Sequence, residues 1–219
     1  MLDDIEKIVN RLKKDTNNIG DIVYRKKYIG KTKIYIIYNE PLASSDKISD
    51  FIVRSLTRIA DSKVSSKKLL QVIENDISNF KVTTIDNYES LCFYLHRGFT
   101  ILLLDGDREA LVLETKADLA RGITTPDTES TLRGSKDAFV EDYQKNIGLI
   151  KKRIRSNDLW IDPMVMGRYT NTQVGLLYVN GVAKKELVET IKKQLKKIDI
   201  DGIINSEVLK NLIEKENKN

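Results

Sequence analysis

The sequence has one cysteine, one histidine, one tryptophan and three prolines in 219 residues. A lone Cys92 excludes a disulfide scaffold, because that class of small secreted fold needs several paired cysteines. The low glycine and proline content excludes collagen-like and low-complexity chains. The longest apolar runs, such as 99–104 and 174–179, are far shorter than the roughly 20 residues of a membrane-spanning helix. With no signal-peptide pattern at the start, we expect a soluble body that faces the cytosol.

Charge is abundant and unevenly placed. Charged residues make up 32% of the chain and hydrophobic residues 41%, which is typical of a folded protein with a real core. Residues 131–219 hold 17 Lys and Arg against 12 Asp and Glu, which accounts for the whole net charge of +5. We therefore expect two bodies with different surfaces, the second facing an acidic partner or anionic lipid.

The first half mixes helical and strand patterns without a regular βαβ rhythm. Helical spacing of apolar residues predicts helices over 2–14, 45–59, 69–77 and 87–96. Alternating or continuous apolar runs predict strands over 21–29, 33–38, 81–85, 100–104 and 110–114. The fold class is therefore α/β in the broad sense, a mixture of helices and strands (α+β).

The second half predicts a smaller, more regular body. A helix capped by Ser135 runs to 154, strands follow over 159–166 and 173–179, and helices over 183–198 and 207–213. Between the halves the pattern lapses at Gly122, Pro126 and Gly134, which are breakers. The sequence therefore predicts two small αβ subdomains: 1–120, then a linker over 121–134, then 135–219 with the order helix-strand-strand-helix-helix.

Two clusters of reactive side chains are too small for a metal or catalytic site. Cys92 and His96 share one helix face, but zinc needs three or four ligands and a nucleophile needs an orienting third group. Asp105, Asp107 and Glu109 alternate like the start of a calcium loop, yet they lie in a hairpin and lack its later ligands. We predict no catalytic residues, no metal site and no cofactor.

Two further features favour phosphate binding only weakly. The segment 30–32 ends like a P-loop, but Arg25 stands where its first glycine belongs and a strand follows instead of a helix. The basic run 151–155 and the lysines of 183–198 are typical of a solvated helix face with pairs such as Glu189–Lys193. An anionic membrane surface and nucleic acid remain alternatives for these basic residues.

One stretch carries a specific resemblance. It comprises Arg133–Glu141, Asn146, 149–154, Gly167-Arg168 and the Ile-Asp-Ile-Asp-Gly-Ile segment 198–203. This stretch resembles the soluble N-terminal region of the A subunit of GerA-type spore germinant receptors. Upstream, Leu104-Asp105-Gly106 and neighbouring short matches fall in the family's order, so the resemblance covers nearly the whole chain.

The chain also departs from the family pattern. The departing positions are Ser135 for proline, Ala138 for glycine, Lys145 for a small polar residue and Asn171 for lysine. These changes leave the expected fold intact, and they weaken any inference that the segment is an invariant contact site.

The resemblance implies a receptor module that is not an enzyme. It implies a membrane-spanning part after residue 219, assembly with the B and C subunits and with other A subunits, and location in the spore inner membrane with this domain on the cytosolic, spore-core side. Such receptors sense a small nutrient (amino acid, sugar or nucleoside) and release ions that start germination. The expected role is assembly, signal transmission and ligand sensing; nucleic acid is not an expected partner.

A hinge or subunit contact is predicted around the linker. Its candidate residues are Arg121, Glu129, Arg133, Gly134, Glu141, Asn146 and Arg153. The alternative for these residues is helix capping with an intrachain ion pair. Two further functions stay open from the sequence: a stand-alone small-ligand-binding domain with a cleft between the subdomains near 116–135, and a phosphate- or nucleic-acid-binding protein that uses the basic C-terminal helices.

Overall fold

A computed structural model describes residue 2 and residues 4–60, 69–77, 81–119 and 139–216. Helices and antiparallel strands are mixed along these residues, as the sequence predicts. The chain divides into two compact units, residues 1–156 and residues 157–219. None of the helices in the described ranges has the length and apolarity that crossing a membrane requires.

The first unit begins with a helix and a hairpin and ends with a helix. Its elements are α1 (Ile5–Asp15), β1 (Ile22–Ile29), β2 (Thr32–Asn39), a 3₁₀ turn (Glu40–Leu42), α2 (Ser45–Lys47), a π-helical segment (Ile48–Val53), α3 (Arg54–Ala60), α4 (Leu69–Asp76), β3 (Val82–Ile85), α5 (Tyr88–Leu95), β4 (Thr100–Leu104), β5 (Ala110–Leu113) and α6 (Tyr143–Arg153). Most bounds lie within a few residues of the predicted ones.

The strands of this unit form one antiparallel sheet in the order β1-β2-β4-β5-β3. The hairpin that joins β1 and β2 turns at Gly30, whose φ of 57° suits glycine. β2 is buried along almost its full length because it lies between β1 and β4 and is covered on both faces. This explains why β2 reads as a continuous apolar run.

Each face of the sheet has its own apolar core, because successive side chains of a strand point to opposite faces. On one face Ile34 and Ile36 of β2 pack with the helices over 48–60 and 69–77. On the other face Tyr35 and Ile37 pack with α1 and α5. The first unit is therefore three layers deep, with helices on both sides of the sheet.

The second unit is a two-stranded sheet and two helices. β6 (Leu159–Met166) pairs with β7 (Thr172–Val179), and α7 (Lys185–Lys197) and α8 (Ser206–Glu216) follow. Its core is centred on Met166, Leu195, Ile203 and Leu209. Pro163 is accommodated inside β6 because this strand pairs only with β7 in the described part of the chain, so one edge needs no N–H donor.

The unit boundary differs from the predicted subdomain boundary. The sequence predicts a second subdomain over 135–219 that begins with its own helix, whereas this helix, α6, belongs to the first unit. This helix belongs to the first unit because it packs on the 3₁₀ turn of that unit. The predicted linker over 121–134 lies outside the described residues.

Candidate functional site

The start of α6 is fixed by two polar side chains. Asp142 accepts a hydrogen bond from the N–H of Lys145 at 3.0 Å and so caps the helix. Asn146 holds the backbone of Val140 on both sides: its Oδ1 accepts from the Val140 N–H at 2.8 Å, and its Nδ2 donates to the Val140 carbonyl at 2.7 Å. The segment 139–142, which includes the exposed Glu141, is therefore attached to the helix that follows.

This arrangement corrects the predicted start of the helix. Phe139 and Val140 fit the helical spacing, but the helix begins only at Tyr143, and Phe139 is 65% exposed. Asn146 captures the backbone groups of Val140 that a longer helix would have used. Ile154, predicted within the apolar stripe, follows the end of the helix and is 40% exposed.

The middle of α6 approaches the first unit's backbone without a side chain in between. A Cβ on Gly148 would lie 2.5 Å from the carbonyl oxygen of Pro41, which is closer than real contacts allow. It would also lie 3.2 Å from the methyl groups of Leu119. Glycine is therefore required here by the close approach of the helix to the 3₁₀ turn.

The end of α6 carries a buried ion pair. Lys151, only 5% exposed, pairs with Asp21, the residue before β1, which is 8% exposed. Burial lowers the pKa of Lys151 to about 7. Lys151, the first residue of the basic run 151–155, therefore stabilises the fold. Only the residues that follow it in the run face solvent.

The neighbours of Lys151 line a cavity with an excess of positive charge. Lys152, in the last turn of α6, and Arg155, two residues after its end, share it with Arg97, which follows α5, and Lys116, which follows β5. We call this cavity of about 450 Å³ the basic pocket. All of its lining residues belong to the first unit.

In the second unit, the turn between β6 and β7 holds the segment that joins α7 to α8. The N–H of Arg168 donates to the Ile200 carbonyl, and the N–H of Tyr169 donates to the Asp201 carbonyl, both at 2.9 Å. The hydroxyl of Thr170 accepts from the N–H of Ile203 at 3.2 Å. We call these contacts between residues 167–172 and 198–203 the turn clasp. Gly167 has a φ of 85°, a value that glycine tolerates best.

Charge reinforces the turn clasp. The guanidinium of Arg168 donates to the Asp199 carboxylate, with Nε 2.7 Å from Oδ1, and lies 3.9 Å from the Asp201 carboxylate. The hydrogen bond to Arg168 lowers the pKa of Asp199. Both Gly167-Arg168 and 198–203 carry the family resemblance. These two motifs are distant in the sequence, and in the fold they bind each other.

The lysine-rich helix α7 presents mainly a solvated face, with Lys193, Lys196 and Lys197 exposed. The predicted pair Glu189–Lys193 is replaced by a contact of Glu189 with Lys192 at 3.4 Å. Lys192 in turn lies 2.8 Å from the Asp162 carboxylate. The hydrogen bond to that carboxylate raises the pKa of Lys192, so this ammonium stabilises the helix against the sheet.

The predicted hinge residues are only partly described. Arg121, Glu129, Arg133 and Gly134 lie outside the described residues. Of the remaining three, Glu141 precedes α6, Asn146 lies in its first turn and holds the backbone of Val140, and Arg153 lies at its exposed end. Their proposed hinge or contact role therefore stays a prediction.

Sequence reasoning missed the Asp21–Lys151 pair and the basic pocket. Both join residues far apart in the chain, and no local pattern signals such partners. The one available signal was the basic run 151–155 itself.

The doubtful motifs adopt ordinary structural roles. The P-loop-like segment 30–32 is a turn between two antiparallel strands, not a helix start. His96 is buried at the C-terminal cap of α5, and its N–H donates to the Cys92 carbonyl at 3.0 Å. These two residues therefore contact each other through the helix backbone.

The chain is similar in sequence to several spore germination proteins. The chain is similar to spore germination protein KA of Bacillus subtilis (strain 168), with 28% identity over 97% of this chain and 39% of that protein. It is also similar to spore germination protein A1 of the same strain, with 26% identity over 97% of this chain and 42% of that protein. The chain thus spans about two fifths of the length of these curated relatives.

A solved structure supports the same class. The crystal structure of the N-terminal domain of the A subunit of the Bacillus megaterium spore germinant receptor GerK3 matches with a TM-score of 0.71 and 30% identity, over 95% of this chain and 77% of that one. The family profile described as Bacillus/Clostridium GerA spore germination protein matches residues 10–219. The chain belongs to this family, which confirms the resemblance and the fold class that the sequence predicts.

Proposed function

We propose that this chain is the N-terminal part of the A subunit of a spore germinant receptor. In this proposal it acts in receptor assembly and signal transmission and performs no catalytic step. The full subunit lies in the spore inner membrane, with this part on the spore-core side. There it contacts B and C subunits and other A subunits, and the assembled receptor responds to a small nutrient by releasing ions.

One observation carries the proposal: the correspondence of 95% of this chain with the N-terminal domain of a germinant receptor A subunit. The matched lengths are consistent with this, because the chain covers only about two fifths of the length of these relatives. The geometry adds a candidate contact element at the start of α6. Here Glu141 is exposed, while Asn146 fixes the backbone of the preceding residue, Val140, so the segment that carries this carboxylate is held on the helix.

The test is charge reversal at that element in the full-length gene of the organism that encodes the chain. Glu141→Lys should leave the unfolding midpoint of the 219-residue chain unchanged, because the side chain is exposed. It should reduce the amount of receptor subunits that co-purify from spore membranes and slow nutrient-induced loss of spore refractility. The matched control is Glu207→Lys, an exposed acidic residue in the first turn of α8, which should leave both measurements unchanged.

Two results would contradict the proposal. Spores that lack the gene could respond normally to every nutrient that starts germination in the parent strain, and the receptor function would then be wrong. Alternatively, the Glu141→Lys receptor could assemble and respond normally, and the contact role at the start of α6 would then be wrong while the receptor function stands.

Nutrient sensing by this chain alone is tested separately. The predicted cleft near 116–135 falls largely on residues outside the described ranges. We expect no thermal shift of the chain with amino acids, sugars or nucleosides at millimolar concentration, because the proposal gives it a relay role. A ligand at 100 times its dissociation constant would stabilise the chain by about 2.7 kcal/mol, a shift of several degrees. A saturable shift with one nutrient would instead make this chain the sensor.

A further inference from the structure

The basic pocket has the size and charge of a small-anion site. Its volume of about 450 Å³ lies in the range of ligand pockets. Four cationic side chains, Arg97, Lys116, Lys152 and Arg155, line it with a single carboxylate, that of Asp118. Glu114 beside it pairs with Lys116 at 2.9 Å, so two positive charges remain in excess after both carboxylates are counted.

Two of these cations are held in place by their surroundings. The guanidinium of Arg97 lies 3.4 Å from the centre of the Phe93 ring, and its Nη1 donates to the Phe93 carbonyl at 3.0 Å. The ammonium of Lys116 lies 4.4 Å from the centre of the Phe99 ring. A cation that is already ordered loses less side-chain entropy when it binds an anion, so these contacts favour recognition.

The other two cations come from a helix end that is itself anchored. Lys152 and Arg155 follow Lys151, whose buried pair with Asp21 fixes the last turn of α6. Nε of Arg155 donates to the Lys152 carbonyl at 3.0 Å, so this hydrogen bond does not use the two outer nitrogens of the guanidinium. A planar guanidinium of this kind suits the oxygens of a phosphate.

We propose that the basic pocket binds a phosphate-bearing anion. The ligand is either a small soluble phosphate compound or the headgroup of an anionic phospholipid, because both present the same oxygens. The pocket is too small to hold a nucleic-acid strand. The rings of Phe93 and Phe99 are already in contact with two of its cations, Arg97 and Lys116. This inference is independent of the proposed receptor function.

The experiment uses the 219-residue chain with two probes: sodium pyrophosphate by isothermal titration calorimetry, and sedimentation with phosphatidylcholine vesicles with or without phosphatidylglycerol. The test variant is Lys152→Gln with Arg155→Gln. The matched control is Lys193→Gln with Lys196→Gln, which removes two exposed charges from α7. Because one charged contact contributes about 1.5–3 kcal/mol, the test variant should bind about tenfold more weakly or worse, and the control within about twofold of the parent.

The two probes separate the sources of the phosphate. Binding of pyrophosphate without binding to phosphatidylglycerol vesicles supports a soluble ligand. Binding to phosphatidylglycerol vesicles that pyrophosphate displaces supports a headgroup. Arg97→Gln removes a pocket cation that follows α5 and should also weaken binding. This variant provides the test if the Lys152→Gln, Arg155→Gln variant does not fold. Absence of binding by the parent to both probes, or equal weakening in the control, would overturn the proposal.

Discussion

The ammonium of Lys151 and the carboxylate of Asp21 form an ion pair inside the first unit, where both side chains are more than nine-tenths buried. The pair joins the end of α6 to the residue that precedes β1. A buried charge that loses its partner costs far more than a surface charge, because no water replaces the lost contact. The attachment of α6 to the sheet therefore depends on both residues being present.

Lys151→Met should lower the free energy of unfolding by about 3–5 kcal/mol, since it leaves the carboxylate of Asp21 buried without a cation. Adding Asp21→Asn to Lys151→Met should recover part of this loss, because a neutral amide is cheaper to bury. Urea denaturation of the three chains measures the effect. Lys193→Met, at an exposed position of α7, is the control and should be nearly neutral. Equal effects at the two lysines would contradict the structural role of the pair.

Gly148→Ala should destabilise the chain although alanine favours helices. The new methyl group would lie 2.5 Å from the Pro41 carbonyl oxygen, which cannot move without shifting the 3₁₀ turn. We expect the overpacking to cost about 1–3 kcal/mol, which offsets the gain of about 1 kcal/mol in helix propensity and leaves a net loss of up to about 2 kcal/mol. Thermal unfolding provides the measurement.

Gly20→Ala is the matched control for this prediction. A Cβ at Gly20 meets no atom within 4 Å, so the substitution should be neutral or slightly stabilising. If Gly148→Ala raises the unfolding midpoint as much as Gly20→Ala does, α6 does not approach the turn as closely as described.

Asn146→Ala should release the segment 139–142 from α6. It removes two hydrogen bonds to the backbone of Val140, so the free energy of unfolding should fall by about 1–2 kcal/mol. Amide hydrogen exchange at Val140 should speed up more than exchange in β4. Gln144→Ala, exposed on the same helix, is the control and should change neither quantity. Unchanged protection of Val140 in Asn146→Ala would show that another group holds it.

Glu6 should make stability depend on pH in the acidic range. Its carboxylate accepts from Lys33 at 2.8 Å and from the Tyr35 hydroxyl at 3.0 Å, and the hydrogen bond to Lys33 is the main cause that lowers the pKa of Glu6 below its ordinary value of 4.5. A carboxyl with a lowered pKa stabilises the fold above its unfolded-state pKa. This stabilisation is lost as the pH falls through the folded-state pKa.

Glu6→Gln should therefore lower Tm at neutral pH, and the difference from the parent should shrink as the pH falls from about 7 towards about 3. Thermal unfolding over this range provides the measurement. The control, Glu214→Gln on the exposed side of α8, should show little difference at any pH. A difference that grows on acidification would reverse the sign expected here.

Local patterns predicted most elements, and long-range contacts account for the rest. The strand over 100–104 was predicted at its observed bounds, and α1 was predicted within three residues, because their apolar spacing is uninterrupted. The start of α6 was missed because the side chain of Asn146 competes for the backbone of Val140. Spacing alone does not register such competition.

The candidate sites were harder to predict than the fold. Lys151 sits in a run of basic residues that reads as a solvated surface, and its partner Asp21 precedes the first strand. The basic pocket likewise combines Arg97 and Lys116 with the end of α6, three places that only the folded chain brings together. By contrast, both segments of the turn clasp were identified in the sequence as motifs of the family resemblance. The contact between them was not predicted.

The position of β2 in the sheet has a consequence for synthesis in the cell. β2 pairs with β1 across a short turn, but its other edge pairs with β4, where Ile37 faces Ile101. While the nascent chain grows from residue 39 to residue 104, this apolar edge has no strand to cover it. Unpaired apolar edges attract other chains. The interval before β4 leaves the ribosome is therefore when this polypeptide is most exposed to pairing with other chains, and a pause in synthesis there would lengthen that exposure.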